Sequence, residues 1–258
     1  MTRFQTLRFE AANGIGRLTL NRPERLNAMT NRMVVEAHDC LAEVAERRDV
    51  RVLVLTGEGR GFCPGADIKH FAAGAEDLAT APRHFRVPLY LHRMPQVTIA
   101  AINGACAGAG FGWACACDLR FAARSATFST AFLNVASAGD MAGPWLLPRL
   151  IGAARARELY FLPEKFGAAD AHALGLVSQV FDDAVFRERI DAIAERLAAA
   201  SPRALAGMKQ NFLDAESHDL ERYIEIETAR HLEIMAGDDP KEAFRAFVEK
   251  RPPRFGGG

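Results

Sequence analysis

The chain has no surplus of either charge: Lys plus Arg and Asp plus Glu each total 32 in 258 residues. Without a net field there is no long-range pull toward nucleic acid or an anionic membrane, so any anionic ligand must be held by local groups. No run approaches the roughly 20 apolar residues of a membrane span, and the opening Met1-Thr2-Arg3-Phe4 lacks the apolar stretch of a secretion signal. Cysteine is scarce. The five copies, Cys40, Cys63, Cys106, Cys115 and Cys117, are an odd number in mostly apolar surroundings, which argues against a disulfide framework and for the cytoplasm. Cys115-x-Cys117 has the wrong spacing for a zinc knuckle and no histidine beside it, so the thiols are read as buried core and no metal is expected. There is no glycine-lysine-Ser/Thr phosphate loop, internal repeat, low-complexity tract or long linker, apart from the terminal Gly256-Gly257-Gly258.

What remains is ordinary for a globular protein, with 49% apolar and 25% charged residues in a length that suits one large domain or a domain with an appendage. Ile15 to Leu20 alternates like a strand and breaks at Asn21-Arg22-Pro23-Glu24. Thr30 can then cap a helix whose apolar face carries Met33, Ala37, Leu41 and Val44. Short buried strands are expected at Val52 to Leu55, Val97 to Ile102 and Leu119 to Ala122. Strands separated by helices indicate an α/β class, with open whether the strands make one sheet or a coiled succession of small units. From Asp182 the pattern turns helical, with candidate helices at 183–199, 203–215, 220–235 and 240–249, which suit packing onto a core or a neighbouring subunit.

Two glycine-rich stretches invite a binding reading. Gly57-x-Gly59-x-Gly61 follows a strand, but Cys63-Pro64-Gly65 comes directly after, and a proline there interrupts the helix that a dinucleotide site requires. Ala107-Gly108-Ala109-Gly110-Phe111-Gly112 precedes an apolar, helical Trp113 to Cys117. It therefore places unpaired N–H groups and a positive dipole end at a helix start, where developing negative charge can be held. Close packing around small residues explains the same spacing.

Five stretches in one order make the chain recognisable. Gly61-Phe62-Cys63-Pro64-Gly65-Ala66-Asp67-Ile68 and Ala100-Ala101-Ile102-Asn103-Gly104 resemble the two signatures of the crotonase (enoyl-CoA hydratase/isomerase) superfamily. Asn21 to Ala28 resembles its first CoA-contacting loop, Trp145 to Gly152 its helix after the active site, and Glu242 to Phe255 its C-terminal stretch. The resemblance implies a crotonase-like spiral of β-β-α units over residues 1–200, and a C-terminal helical region over 201–258 that builds a homotrimer or a dimer of trimers. It implies an acyl-CoA substrate and no permanently bound cofactor, CoA being part of the substrate. It places the two oxyanion donors on the N–H groups of Ala66 and Ala109, with alanine at 109 where relatives usually carry glycine. A methyl there would be strained only if the backbone required positive φ. CoA contacts carry over to Arg25, Leu26, Ala28, Ala66, Asp67 and Ile68, with Phe247 and Lys250 reaching over from a neighbouring subunit. Phe71, Gly112, Phe132 and Trp145, with the poorly patterned segment Ala72 to Arg86, are expected around the acyl group.

The positions of the family's two catalytic glutamates fall on Gly112 and Phe132, neither of which transfers a proton. The remaining acid is Asp140, just before Pro144-Trp145. Read bare, an Asp there is a helix cap. Members similar in this stretch use the corresponding aspartate as proton carrier in epoxyphenylacetyl-CoA and dienoyl-CoA isomerases, or as nucleophile in aroyl-CoA dehalogenases. The leading expectation is a double-bond isomerase with Asp140 as acid–base. The alternatives are a hydratase in line with the family label, a dehalogenase or thioester hydrolase in which His84 or His92 activates water, and a non-catalytic CoA-binding member. Both histidines are otherwise expected on a helix surface.

Overall fold

The computed structural model describes residues 4–74 and 78–256. The first three residues, 75–77 of the poorly patterned segment and the last two glycines lie outside the described residues. In chain order the strands are β1 (Leu7–Ala12), β2 (Ile15–Leu20), β3 (Val52–Gly57), β4 (Gly61–Cys63), β5 (Val97–Ile102), β6 (Ala105–Ala107), β7 (Leu119–Ala123), β8 (Thr127–Ser129), β9 (Phe166–Gly167) and β10 (Gln179–Phe181). The helices are α1 (Asn31–Ala45), α2 (Ile68–Ala72), α3 (Val87–Arg93), α4 (Gly108–Ala116), α5 (Gly143–Ile151), α6 (Ala153–Phe161), α7 (Ala168–Ala173), α8 (Phe186–Ala198), α9 (Pro202–Ala215), α10 (Leu220–Met235) and α11 (Asp238–Val248).

The strands form two sheets, with orders β1-β2-β3-β5-β7-β10 and β4-β6-β8-β9. Within each, all pairings are parallel except the β1/β2 hairpin and β8/β9. Each successive unit sends its first strand (β3, β5, β7) into the larger sheet and its second (β4, β6, β8) into the smaller, then crosses back. This is the coiled succession of β-β-α units, not one open sheet. The turns between paired strands are pinned by two asparagines. Asn103 donates to the carbonyls of Gly57 and Gly59 at 2.9 Å, and the fully buried Asn27 donates to Gly61 O at 2.7 Å. A methyl on Gly104 would strike the carbonyl of Arg60, so the Asn-Gly pair that closes the β5–β6 turn is a steric requirement.

Thr30 caps α1 by accepting from the Met33 amide at 3.3 Å, and Met33, Ala37, Leu41 and Val44 are all buried. Their stripe covers one face of the larger sheet and joins α4 in the main core, while α8 covers the opposite face with Phe186, Ile190 and Ala194. All five cysteines are buried and none is in a disulfide among the described residues. The candidate helices after residue 182 are present, 220–235 as expected and the others with boundaries moved by up to three residues; Pro240 sits inside the first turn of α11, where its missing N–H costs nothing. Among the described residues no helix is long and apolar enough to cross a membrane. α9 is anchored to the core by a buried ion pair: Lys209 Nζ lies 2.8 Å from Asp118 Oδ2 and donates to Gln96 O at 2.9 Å.

Candidate active site

The second strands end at one level, and there two glycines bring two loops into contact. Gly65 after β4 has φ +94° and Gly108 after β6 has φ +51°. A methyl on Gly65 would stand 3.2 Å from Ala107 O and 3.5 Å from the Gly108 Cα. At Gly65 both the conformation and the approach disfavour a side chain; at Gly108 the contacts are ordinary and only the left-handed conformation favours glycine. Ala66 and Ala109 are the residues that follow these glycines. Ala66 makes an isolated parallel bridge with Met29, formed by Met29 N–H to Gly65 O at 2.7 Å and Asp67 N–H to Met29 O at 2.8 Å. Those bonds use the groups flanking Ala66 and turn its own N–H to the other side. Ala109 lies in the first turn of α4, which has no side-chain cap and therefore unpaired amides. Its φ is not positive, so the methyl carries no backbone strain; the left-handed position belongs to Gly108.

The other glycines of this stretch admit neighbours. A methyl on Gly110 would stand 2.6 Å from Cys63 Cβ, and one on Gly112 would stand 2.7 Å from both the Cβ and the carbonyl oxygen of Met141. Gly112 thus gives the segment carrying Asp140 a seat on α4. Met141 and Ala142 are both left-handed, at φ +50° and +59°.

Asp140 does not cap α5. The N-cap is Ala142, with no side-chain cap bond. Its carboxyl is half-buried, with Oδ1 buried and without a hydrogen-bond partner. Burial raises its pKa above the usual carboxylate range. An uncapped, unpaired, partly desolvated carboxyl differs from a structural aspartate such as Asp67. There burial also disfavours ionisation, but the His70 amide and Arg22 outweigh it and hold the group below its usual pKa. Asp67 is 5% exposed, bonded to Arg22 at 2.9 Å, and caps α2, so its side chain is occupied within the chain. Arg22, which the sequence reading passed over, also donates to the Ala28 carbonyl and so ties the 22–28 loop to the Ala66 segment.

A family model described as enoyl-CoA hydratase/isomerase matches residues 10–258. The chain belongs to the enoyl-CoA hydratase/isomerase family. It is 37% identical over 98% of its length, and 99% of the relative's, to a Rhodobacter capsulatus protein that carries the name enoyl-CoA hydratase. It is 38% identical, over 95% of both chains, to the 1,2-epoxyphenylacetyl-CoA isomerase of Escherichia coli. A Thermobifida fusca protein with the enoyl-CoA hydratase name, solved in complex with acetoacetyl-CoA, superposes with a TM-score of 0.84 at 31% identity over 90% of this chain and 95% of that one. The chain is therefore an acyl-CoA enzyme of the crotonase superfamily with that superfamily's fold.

The remaining residues expected at the site fall into two groups. Phe132 is buried in a 3-10 turn, Phe132–Val135, and stacks on Tyr160 with ring centroids 6.1 Å apart at 5°. Tyr160, on α6, was not foreseen from the sequence; a tyrosine in a helix gives no signal of its own. Ala28 is buried with the loop, Arg25 is exposed, and Leu26 is left-handed at φ +53°. Ile68 and Phe71 lie exposed along α2 at 51% and 43%. Trp145, 43% exposed, stands on the outside of α5 under the Arg149 guanidinium, 3.7 Å from its ring centroid, and edge-on to His92. Phe247, 86% exposed, and Lys250 belong to α11 and the turn after it, which pack chiefly against α10; one chain does not bring them to the 25–28 loop.

His84 corrects an expectation: it is 5% exposed, not on a helix surface, and its Nδ1 accepts from the Ala81 amide at 3.0 Å. Burial, with Arg83 adding to it, lowers its pKa. His92 bonds Glu216 at 3.0 Å. Two of the roomier clefts, about 450 Å³ between the β1–β2 hairpin and α8 and about 620 Å³ around Leu26, Arg60 and Asp183, contain none of Ala66, Ala109 and Asp140. Chemistry and not volume marks this site.

Proposed function

We propose that this enzyme moves a double bond along the acyl chain of a CoA thioester, with Asp140 as the proton carrier and the N–H groups of Ala66 and Ala109 as donors to the thioester oxygen. The observation that carries this is the Asp140 carboxyl: half-buried, its Oδ1 without a hydrogen-bond partner among the described residues, and not a helix cap. One carboxyl can take a proton from one carbon and return it two carbons away, provided the dienolate between is stabilised. Each amide donor would supply roughly 3 kcal/mol to that stabilisation. Gly112 and Phe132, at the positions where the family resemblance puts glutamates, offer no second acid–base group for adding water, which favours isomerisation over hydration. Phe132 and its stacked Tyr160 keep the surroundings apolar, and the raised pKa brings the carboxyl toward the range of a working acid–base.

The CoA portion would lie along Arg25, Leu26, Ala28, Ala66, Asp67 and Ile68, held by the backbone at Asp67, with Phe247 and Lys250 supplied by a neighbouring copy. No resident cofactor takes part in this scheme; CoA arrives with the substrate. A homotrimer, or a dimer of trimers, built by residues 201–258 on the 1–200 core is supported by the exposure of Met208, Phe212, Leu232, Phe244 and Phe247 on α9 to α11. Cysteines outside any disulfide fit the reducing cytoplasm. The test is Asp140→Asn assayed on cis-3-enoyl, 2-enoyl and aromatic acyl-CoA thioesters. Loss of turnover with CoA binding retained supports the reading, and retained turnover in a folded variant removes it. An acyl ester trapped on Asp140 by mass spectrometry would replace proton carriage by nucleophilic attack. Turnover of none of the thioesters by the wild type, with CoA still bound, would make the chain a binding protein. For the assembly, Phe212→Asp should lower the sedimenting mass of the particle.

A further inference from the structure

The segment that carries Asp140 closes around a tyrosine. A methyl built on Gly139 would touch the Tyr160 ring edge and Phe132, both at 3.8 Å, and at the other end of the turn a methyl on Gly143 would collide with the Tyr160 hydroxyl. The ring is stacked on Phe132 and its hydroxyl is buried without a partner, as is Oδ1 of Asp140. Buried polar atoms are ordinarily paired, and two orphans at one turn call for a reason. Asp140 acts on Cys63 of β4 and on Tyr160, and Cys115 of α4 acts on Tyr160 as well. Both thiols are buried and neutral, and among the described residues no cation offsets the burial of Asp140. The indole of Trp113 also lacks a partner, but nothing links it to the carboxyl. The two orphans do not bond each other in this structure, but the ring lies against both ends of the turn that carries Asp140 and its hydroxyl feels the Asp140 charge.

A proton carrier alternates between carboxylate, which only accepts, and carboxylic acid, which also donates. A neutral hydroxyl can partner both states, whereas an ammonium only donates and an ionised carboxylate only accepts. We propose that Tyr160 is a positioning residue for Asp140: with the carboxyl turned toward it in the working site, its hydroxyl donates to the carboxylate and accepts from the carboxylic acid, keeping its own proton while the substrate proton moves between carbon and Asp140. This rests on Asp140 being the proton carrier.

The test combines Tyr160→Phe, Asp140→Asn and the double variant. Phenylalanine keeps the stack on Phe132 and removes an unpartnered oxygen, so folding should hold. With the donor lost, the acid limb of the kcat–pH profile and the carbon-13 titration of the Asp140 carboxyl should both move up by about one pH unit. At a pH below the limb kcat should fall about tenfold with KM little changed, and the double variant should be no slower than Asp140→Asn. Difluorotyrosine at 160, a stronger donor of nearly the same size, should move the limb down. An unmoved limb and titration in both Tyr160 variants, or a loss confined to KM, overturns the role of Tyr160. Full activity in Asp140→Asn overturns the proton-carrier reading itself.

Discussion

Gly112→Ala separates the needs of folding from those of catalysis. The new methyl would stand 2.7 Å from the Cβ and the carbonyl oxygen of Met141, against about 3.5–4.0 Å for an ordinary carbon contact. Those atoms belong to the backbone and its first carbon, so no flexible end can give way, and the 139–142 segment must retreat by about 1 Å. Overpacking of this kind costs roughly 1–3 kcal/mol. Exchanging glycine for alanine inside α4 returns about 0.5–1 kcal/mol, so the net loss of stability should be about 0–2.5 kcal/mol. Displacing a reacting group by about 1 Å costs on the order of a hundredfold in rate, close to 2.7 kcal/mol. Rate is therefore the more sensitive measure. Urea unfolding and kcat/KM for isomerisation, measured on the same preparation, should show a nearly native midpoint and a large fall in turnover. Wild-type kcat/KM in Gly112→Ala would show that Asp140 does not depend on its seat on α4. A Gly112→Glu variant that gains hydratase activity would refute the same packing argument.

Burial raises the Asp140 pKa, so the folded chain keeps this proton to higher pH than the unfolded chain. The stability so conferred is full below the unfolded pKa of about 3.9 and is lost as pH rises through the folded value. Asp140→Asn should melt above wild type at pH 7, with the gap closing toward pH 4; a variant that melts lower at pH 7 contradicts the assignment. Lys209→Met should cost about 3 kcal/mol in urea, near the low end for breaking a buried pair. The reason is that Asp118 keeps the Thr98 amide at 2.7 Å and hydroxyl at 2.9 Å. A loss under about 1 kcal/mol would mean α9 is not anchored there. Burial pushes the Cys63, Cys115 and Cys117 thiols up to about 12, so a disulfide reagent at pH 8 should titrate none of the five cysteines before denaturant and all of them after it. Fast reaction of the native protein would contradict their burial.

The sequence by itself determined the family, the class and the long elements. Thr30 and the Met33, Ala37, Leu41, Val44 stripe defined α1 because capping and a 3.6-residue period are local. Val52 to Leu55 and Val97 to Ile102 were legible because strands buried on both faces read as continuous apolar runs. The short strands β4, β6, β8 and β9 were not, since two or three residues are too few for any period and their pairing is wholly non-local. Asp140 was singled out by its place in the chain, but whether it capped a helix was decided by the left-handed turn at Met141 and Ala142, which moved the start of α5 beyond its reach. The glycines at 65, 108, 110 and 112 were visible as a composition. Which neighbour each admits, and that Tyr160 lies beneath the Asp140 turn, followed only from the packing of segments distant in sequence, because contact between surfaces is a property of the assembled fold and not of either strand of residues alone.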